Sequence, residues 1–251
     1  MLEIAIIATL IVATVAVSCA LASRRLHPRV IYSTEPDRPK AFGYRMAWLA
    51  IESRDSARII AHLGLEDTFS TNWNNGIGSV YAQDADDAAV FVSPPVNGWT
   101  FVVGLALPLP LGGGFADHAM PFLVELGREF PEVQFYVAYP DLDAFAWTRI
   151  VGGRVVRAYA INDAGVIWNR GKPGKDEKAL GTRLFEPRGT MRTPGNVPQP
   201  VLHPTEQHVM EIAATWSLDP TRLESLVALP GLGTLGTAPA RWRPQRLRRT
   251  G

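Results

Sequence analysis

The chain has 251 residues, a formal net charge of +1 and 47% apolar residues. That length suits one medium domain or two small ones, and the balanced charge excludes a global field directed at nucleic acid or an acidic substrate. A single cysteine, Cys19, excludes an intramolecular disulfide, a CxxC redox pair and a Cys-based zinc site within one chain.

The first element in chain order is the apolar run LEIAIIATLIVATVAVSCALA, Leu2 to Ala22, followed by Ser23, Arg24, Arg25, Leu26, His27, Pro28 and Arg29. Roughly twenty residues at about 1.5 Å rise cover the roughly 30 Å hydrocarbon core of a bilayer. Glu3, the one charge, lies at the edge. No Lys or Arg precedes the run and three arginines follow it, the reverse of an export signal. The positive-inside rule then places the arginine flank in the cytoplasm. The expected localisation is the inner (cytoplasmic) membrane, single-pass, with the following domain facing the cytoplasm. Ala20-Leu21-Ala22 resembles a signal-peptidase site, so a secreted or periplasmic product cleaved near Ala22 is the alternative.

Residues 24–41, with Pro36 and Pro39, read as a tether. Tyr44 to Ile51 (YRMAWLAI) predicts a first strand, and Ser53 or Asp55 can cap a helix, SARIIAHL, that stops at Gly64. Leu65 to Gly78 reads as a loop because of its run Asn72-Trp73-Asn74-Asn75-Gly76. In AAVFVSPPVNGWTFVVGLAL two β-rich runs flank Asn97-Gly98, a hairpin signal. DHAMPFLVELGREF predicts a helix burying Phe122, Leu123, Leu126 and Phe130. Four antiparallel strands follow in VQFYVAY, AFAWTRI, RVVRAYAI and GVIWN, with Gly152-Gly153 turning between the middle two. Arg170 to His203 is polar and rich in Pro and Gly, with at most a helical turn near Asp176 to Leu180. Thr205 to Trp216 spaces Val209, Ile212, Ala213 and Trp216 as a helix that Asp219-Pro220 ends.

The fold class is therefore α+β. Antiparallel sheet is expected from two α-β-β-β units, VYAQDADDAAVFVSPPVNGWTFVVGLAL and FYVAYPDLDAFAWTRIVGGRVVRAYAIN, with flanking helices and one N-terminal transmembrane helix. Chance likeness between two hairpin blocks is the competing explanation. The domain reading is anchor 1–23, tether 24–41, globular domain 42–223 and disordered basic tail 224–251.

Four motifs, WLAIESRD…IIAHLGL, VFVSPPVNGWTFVVG, FAWTRIVGGRVVRAYA and VMEIAATWSLDP, resemble a family of uncharacterised bacterial proteins over about Tyr44 to Leu223. The resemblance implies no activity. Compact bacterial α+β proteins of this kind include immunity proteins that bind a toxin, an analogy of fold alone.

The candidate chemistry is sparse. His27, His62, His118, His203 and His208 form no HExxH, and no metal or cofactor is expected. Asp84, Asp86 and Asp87, like Asp141 and Asp143, fit solvated acidic turns better than a calcium loop. Gly231-Leu232-Gly233-Thr234-Leu235-Gly236 matches GxGxxG literally, yet Pro230 and Pro239 flank it and no βαβ unit can follow, so it reads as a linker. Trp48, Trp99, Trp147, Trp168 and Trp216 read as core or half-buried. Trp73, with Asn74 and Asn75, lies among polar turn residues and is either a partner-binding surface or a plug at the sheet end. Arg241, Arg243, Arg246, Arg248 and Arg249, around Trp242, are candidate contacts to anionic lipid. Nucleic acid is not expected as a partner.

The functional expectation is a membrane-tethered binding module, immunity-like in style, that acts through a protein partner. The alternatives are a hydrolase or transferase whose site gathers Asp84, Asp87, Asp143 and Arg157, or an exported envelope protein.

Overall fold

Alternating apolar residues need a partner layer on each face of a strand they fill, and the first strand, MAWLAIE, is apolar on both. In the computed structural model, which describes residues 32–82, 88–112, 114–163, 165–180 and 204–245, that strand lies near the middle of a large antiparallel sheet. The strands are β1 (Met46–Glu52), β2 (Glu66–Asn72), β3 (Ala89–Val92), β4 (Trp99–Val103), β5 (Glu132–Tyr139), β6 (Ala144–Val151), β7 (Arg154–Asn162), β8 (Gly165–Arg170) and β9 (Leu232–Thr237). Their order across the sheet is β2-β9-β3-β4-β1-β5-β6-β7-β8. The fold is α+β.

The chain divides into Met1–Tyr32 and Ser33–Gly251. The expected anchor, 1–23, and the first part of the tether lie outside the described residues. Among the described residues no helix is long and apolar enough to cross a membrane.

Helices cover both faces of the sheet. On one face Ala47, Leu49, Ile51, Phe135, Val137, Ala146 and Ile150 form a continuous core with Ile59 and Leu63 of α1 (Ser56–Leu63) and Leu123 and Leu126 of α3 (Ala119–Glu129). On the other face Trp48, Tyr136, Trp147 and Tyr159 stand opposite one another across β1, β5, β6 and β7. Ring centroids are 5.0 Å apart for Trp48–Tyr136 and 4.9 Å for Trp147–Tyr159, stacked cross-strand pairs of the kind that fix register. Helix α5 (Glu206–Trp216) packs on β5 and β6 here, and Trp73 of α2 (Trp73–Tyr81) meets the Phe91 ring edge-on at 5.6 Å.

Local signals act where they are read. Asp55 Oδ1 accepts the Arg58 amide at 2.9 Å, and Gly64 ends α1 in the left-handed conformation. Asn97 and Gly98 take φ of 49° and 89° inside the β3–β4 hairpin, closed by reciprocal Val96 and Trp99 backbone bonds. Thr205 and His208 form a capping box on α5.

Four expectations change. Residues 65–78 are not a loop: β2 fills Glu66–Asn72, and Asn72 both ends it and caps α2 by accepting the Asn75 amide at 3.0 Å. The GLGTLG run is not a linker but largely strand β9, lodged between β2 and β3. A Cβ on Gly233 would stand 2.5 Å from both Val92 O and Phe91 Cε2, so glycine lets the strand approach. The globular fold therefore extends through residues read as tail, with Trp242 5% exposed, and through the later tether, where Asp37 bridges Gly231. Finally, the first of the two expected α-β-β-β units supplies only two strands, because its leading VY belongs to α2. The repeat does not hold in that form; one continuous sheet does.

Candidate functional site

The segment after β4, Leu105 to Leu111 (LALPLPL), alternates leucine with proline and small residues. Proline removes backbone donors and prevents continuation of the strand. Gly104, at φ 157°, turns the chain out of β4, and the segment then crosses one end of the sheet. Beneath and beside it lie two adjoining cavities. One of about 580 Å³ is lined by Leu105, Leu107, Leu109, Trp242 and Arg243. The other, of about 290 Å³, is lined by Leu105, Leu109, Tyr139, Leu142 and Phe145. Leu105, Leu109 and Leu111 line both, so the two share one wall of the groove, which is apolar in its smaller part and mixed where Arg243 enters the larger. Leu142, at its rim, is 61% exposed. The size and lining of the smaller cavity match a binding site for an apolar element.

A second cluster lies on the aromatic face, at the opposite end of β5. Glu132 accepts from Arg149 Nε and Nη2 at 2.8 and 2.9 Å and from Gln134 Nε2 at 2.6 Å. Gln134 also donates to the Trp216 carbonyl at 3.0 Å and accepts the Tyr136 hydroxyl at 2.7 Å. Burial pushes the Tyr136 hydroxyl well above the usual tyrosine range, while the Glu132 carboxylate raises Arg149. Beside it, Arg157 and Glu177 form a bidentate pair, 4% and 5% exposed. Glu177 belongs to the short helix α4 (Lys175–Ala179). Arg157 Nη1 donates to Asn169 Oδ1 and the Arg170 carbonyl, each at 2.9 Å. These groups spend their donors and acceptors on one another, the arrangement of a structural network.

The sequence candidates do not converge. Arg157 pairs in register with Arg149, while Asp143 sits in the exposed turn before Ala144 at the far end of β6. Asp143 and Arg149 are six residues apart along the chain, about 20 Å in extended strand. Asp84 and Asp87 lie outside the described residues. Among the described residues no group of three or more His, Cys, Asp or Glu could hold a metal ion.

Trp73 is not a surface aromatic. It is fully buried as the first residue of α2, and its amide donates to Asp37 Oδ1 at 2.7 Å. Asn74 keeps an exposed side chain, its amide held by Asp37 Oδ2, and Asn75 Oδ1 accepts the Ser33 amide at 3.1 Å. Trp73 packs on Phe91 of β3, so its ring is not available as a partner-binding surface. Arg241 donates to the Leu63 carbonyl at the end of α1, so it serves as a C-terminal cap. Arg243 lines the groove, and Arg246, Arg248 and Arg249 lie outside the described residues. Sequence reasoning missed the groove; its one legible signal was the Leu/Pro alternation after the hairpin. Family models, curated proteins and solved structures contain no match to the chain.

Proposed function

We propose that this protein is a membrane-tethered binding module whose globular domain takes an apolar element of a protein partner into the groove under Leu105 to Leu111. The observation that carries this reading is the groove itself, two adjoining cavities of about 580 and 290 Å³ with Leu142 exposed on the rim. Pockets that exclude water around a central anchor are where binding energy concentrates in protein interfaces, and half-buried Tyr139 and exposed Leu142 line this one. The membrane anchor is the Leu2 to Ala22 run, and the arginines after it support a cytoplasmic domain. Such a module acts by occupancy, as an immunity-type protein does on its toxin.

A photoreactive benzoylphenylalanine at Leu142, in native membranes, should give one discrete protein adduct. The same residue at Val166, exposed on edge strand β8, should not. Leu109→Arg, which places a charge in the groove, should abolish the Leu142 adduct. Identical patterns at Leu142 and Val166, or an adduct indifferent to Leu109→Arg, would refute the groove as the binding site. A mature chain starting at Ser23 would replace the tether with an exported product.

A further inference from the structure

The turn between Ser225 and β9 reads LVALPG and contradicts the usual rule for exposed turns. Val227 is 100% exposed and Leu229 90%, the most exposed large apolar residues among those described. Isolated exposed apolar residues are ordinary, but here two stand within three positions of one turn and are the two most exposed of their kind among the described residues. The turn is also held at both ends. The Leu226 amide donates to Leu223 O at 3.1 Å, and the Gly231 amide donates to Asp37 O at 2.9 Å. Its two apolar tips are thus presented on a fixed base.

Its position in the fold gives the occupant. Leu232 pairs with Asn72, and the Asn72 amide donates to the Ser33 carbonyl at 3.2 Å. The turn therefore lies at the same end of the sheet as Ser33, next to Tyr32, where the described chain begins. Ten residues, 23–32, separate Ala22 from Ser33, and a chain of that length reaches at most about 35 Å. The groove is at the other end, where β9 finishes at Thr237 and Ala238 and Trp242 begin its lining. Charge around the turn is balanced: Lys40 pairs with Glu224 and Arg222 with Asp219.

We propose that Leu226 to Gly231 is a bilayer-contacting turn, whose Val227 and Leu229 enter the lipid interface and hold the groove end facing away from the membrane. The proposal rests on the tethered reading above. Because its flanks pair internally, insertion is apolar in character and independent of anionic lipid. The arginines at 241 and 243 lie at the groove end and take no part.

Cys19 is the sole cysteine, so Cys19→Ser supplies a background for single-site labelling of the full chain. An environment-sensitive fluorophore at Leu229→Cys, reconstituted in phosphatidylcholine vesicles, should shift to the blue. Spin-labelled lipid should quench it at least about threefold more than the same probe at Leu142→Cys, since an interfacial group sits about 5–10 Å into the headgroup–acyl boundary. Adding phosphatidylglycerol should leave the ratio unchanged. Equal quenching at the two positions would overturn the proposal, as would a blue shift at 229 that follows protein concentration instead of lipid, the sign of a second copy. Alkaline carbonate extraction of the same samples separates the two ideas. Resistant protein with an unquenched 229 probe refutes the turn and keeps the tether, whereas extractable protein with a quenched probe refutes the tether and keeps the turn. Extractable and unquenched protein refutes both.

Discussion

Removing the Glu177 carboxylate is the sharpest test of how the aromatic face is held. Glu177→Ala leaves the Arg157 guanidinium, 4% exposed, with Nη1 still bonded to Asn169 Oδ1 and the Arg170 carbonyl, but strips the partners of Nε and Nη2. Two charge-assisted bonds at about 1.5–3 kcal/mol each give about 3–6 kcal/mol. Breaking one side of a buried pair independently suggests about 3–5 kcal/mol, because the remaining charge is uncompensated. A loss of that size is a large part of the roughly 5–15 kcal/mol that keeps a domain folded. Replacing both partners with apolar residues, Arg157→Met with Glu177→Leu, removes the stranded charge and should recover most of the loss. Urea unfolding at pH 7, followed by tryptophan fluorescence on both variants and the parent, reads the difference as a shift in midpoint at constant slope. A Glu177→Ala loss below about 1 kcal/mol would show that water reaches Arg157. A double variant no more stable than the single would show that the cost lies in packing of α4 and not in charge.

Two further outcomes follow from the same coordinates. Gly76 and Gly78 lie on one helix, yet a Cβ at Gly76 would stand 2.2 Å from the Phe91 ring while one at Gly78 meets nothing within 4 Å. Gly78→Ala should stabilise by about 0.5–1 kcal/mol through helix propensity, and Gly76→Ala should destabilise by about 1–3 kcal/mol through overpacking; thermal melts that rank them otherwise would refute the packing of α2 on β3. Burial, and then the Glu177 charge, push the Tyr159 hydroxyl up to about 12 against the opposing pull of Arg157. A folded-state value above the unfolded one means the folded state holds this proton more tightly. Stability is then complete below pH 10 and falls as pH rises through 10–12. Tyr159→Phe should flatten that decline in urea midpoints measured from pH 9 to 12, and an unchanged slope would contradict the assignment.

Much of this fold is legible in the local sequence. β1 and β5 to β8 follow from β-branched and aromatic runs, the β3–β4 hairpin from Asn97-Gly98, and α1, α3 and α5 from apolar spacing with Asp55, Gly64 and Thr205 at their ends. These signals are local, so a window of a few residues contains their cause. The candidate site was not legible in that way. Arg157 looks like a free cation in RVVRAYAI until Glu177, twenty positions on, is brought against it. The apolar Leu105 to Leu111 run becomes a groove wall only when Trp242 and Tyr139 arrive from distant parts of the chain.

The sequence by itself determined the α+β class, the antiparallel hairpins and the apolar N-terminal run, because backbone conformation and hydrophobic period are set by neighbouring residues. Tertiary structure alone decided the fate of WNNGIGSVY and GLGTLG. Their glycines and polar residues oppose helix and strand when considered locally. In the fold, Asp37 and Asn72 satisfy the first amides of α2. Gly233 admits β9 against Val92, and burial of Trp73 against Phe91 supplies the stabilisation that propensity withholds. Trp73, which the sequence alone leaves open between partner-binding surface and plug, is therefore core, because a residue's exposure depends on which distant strands close over it.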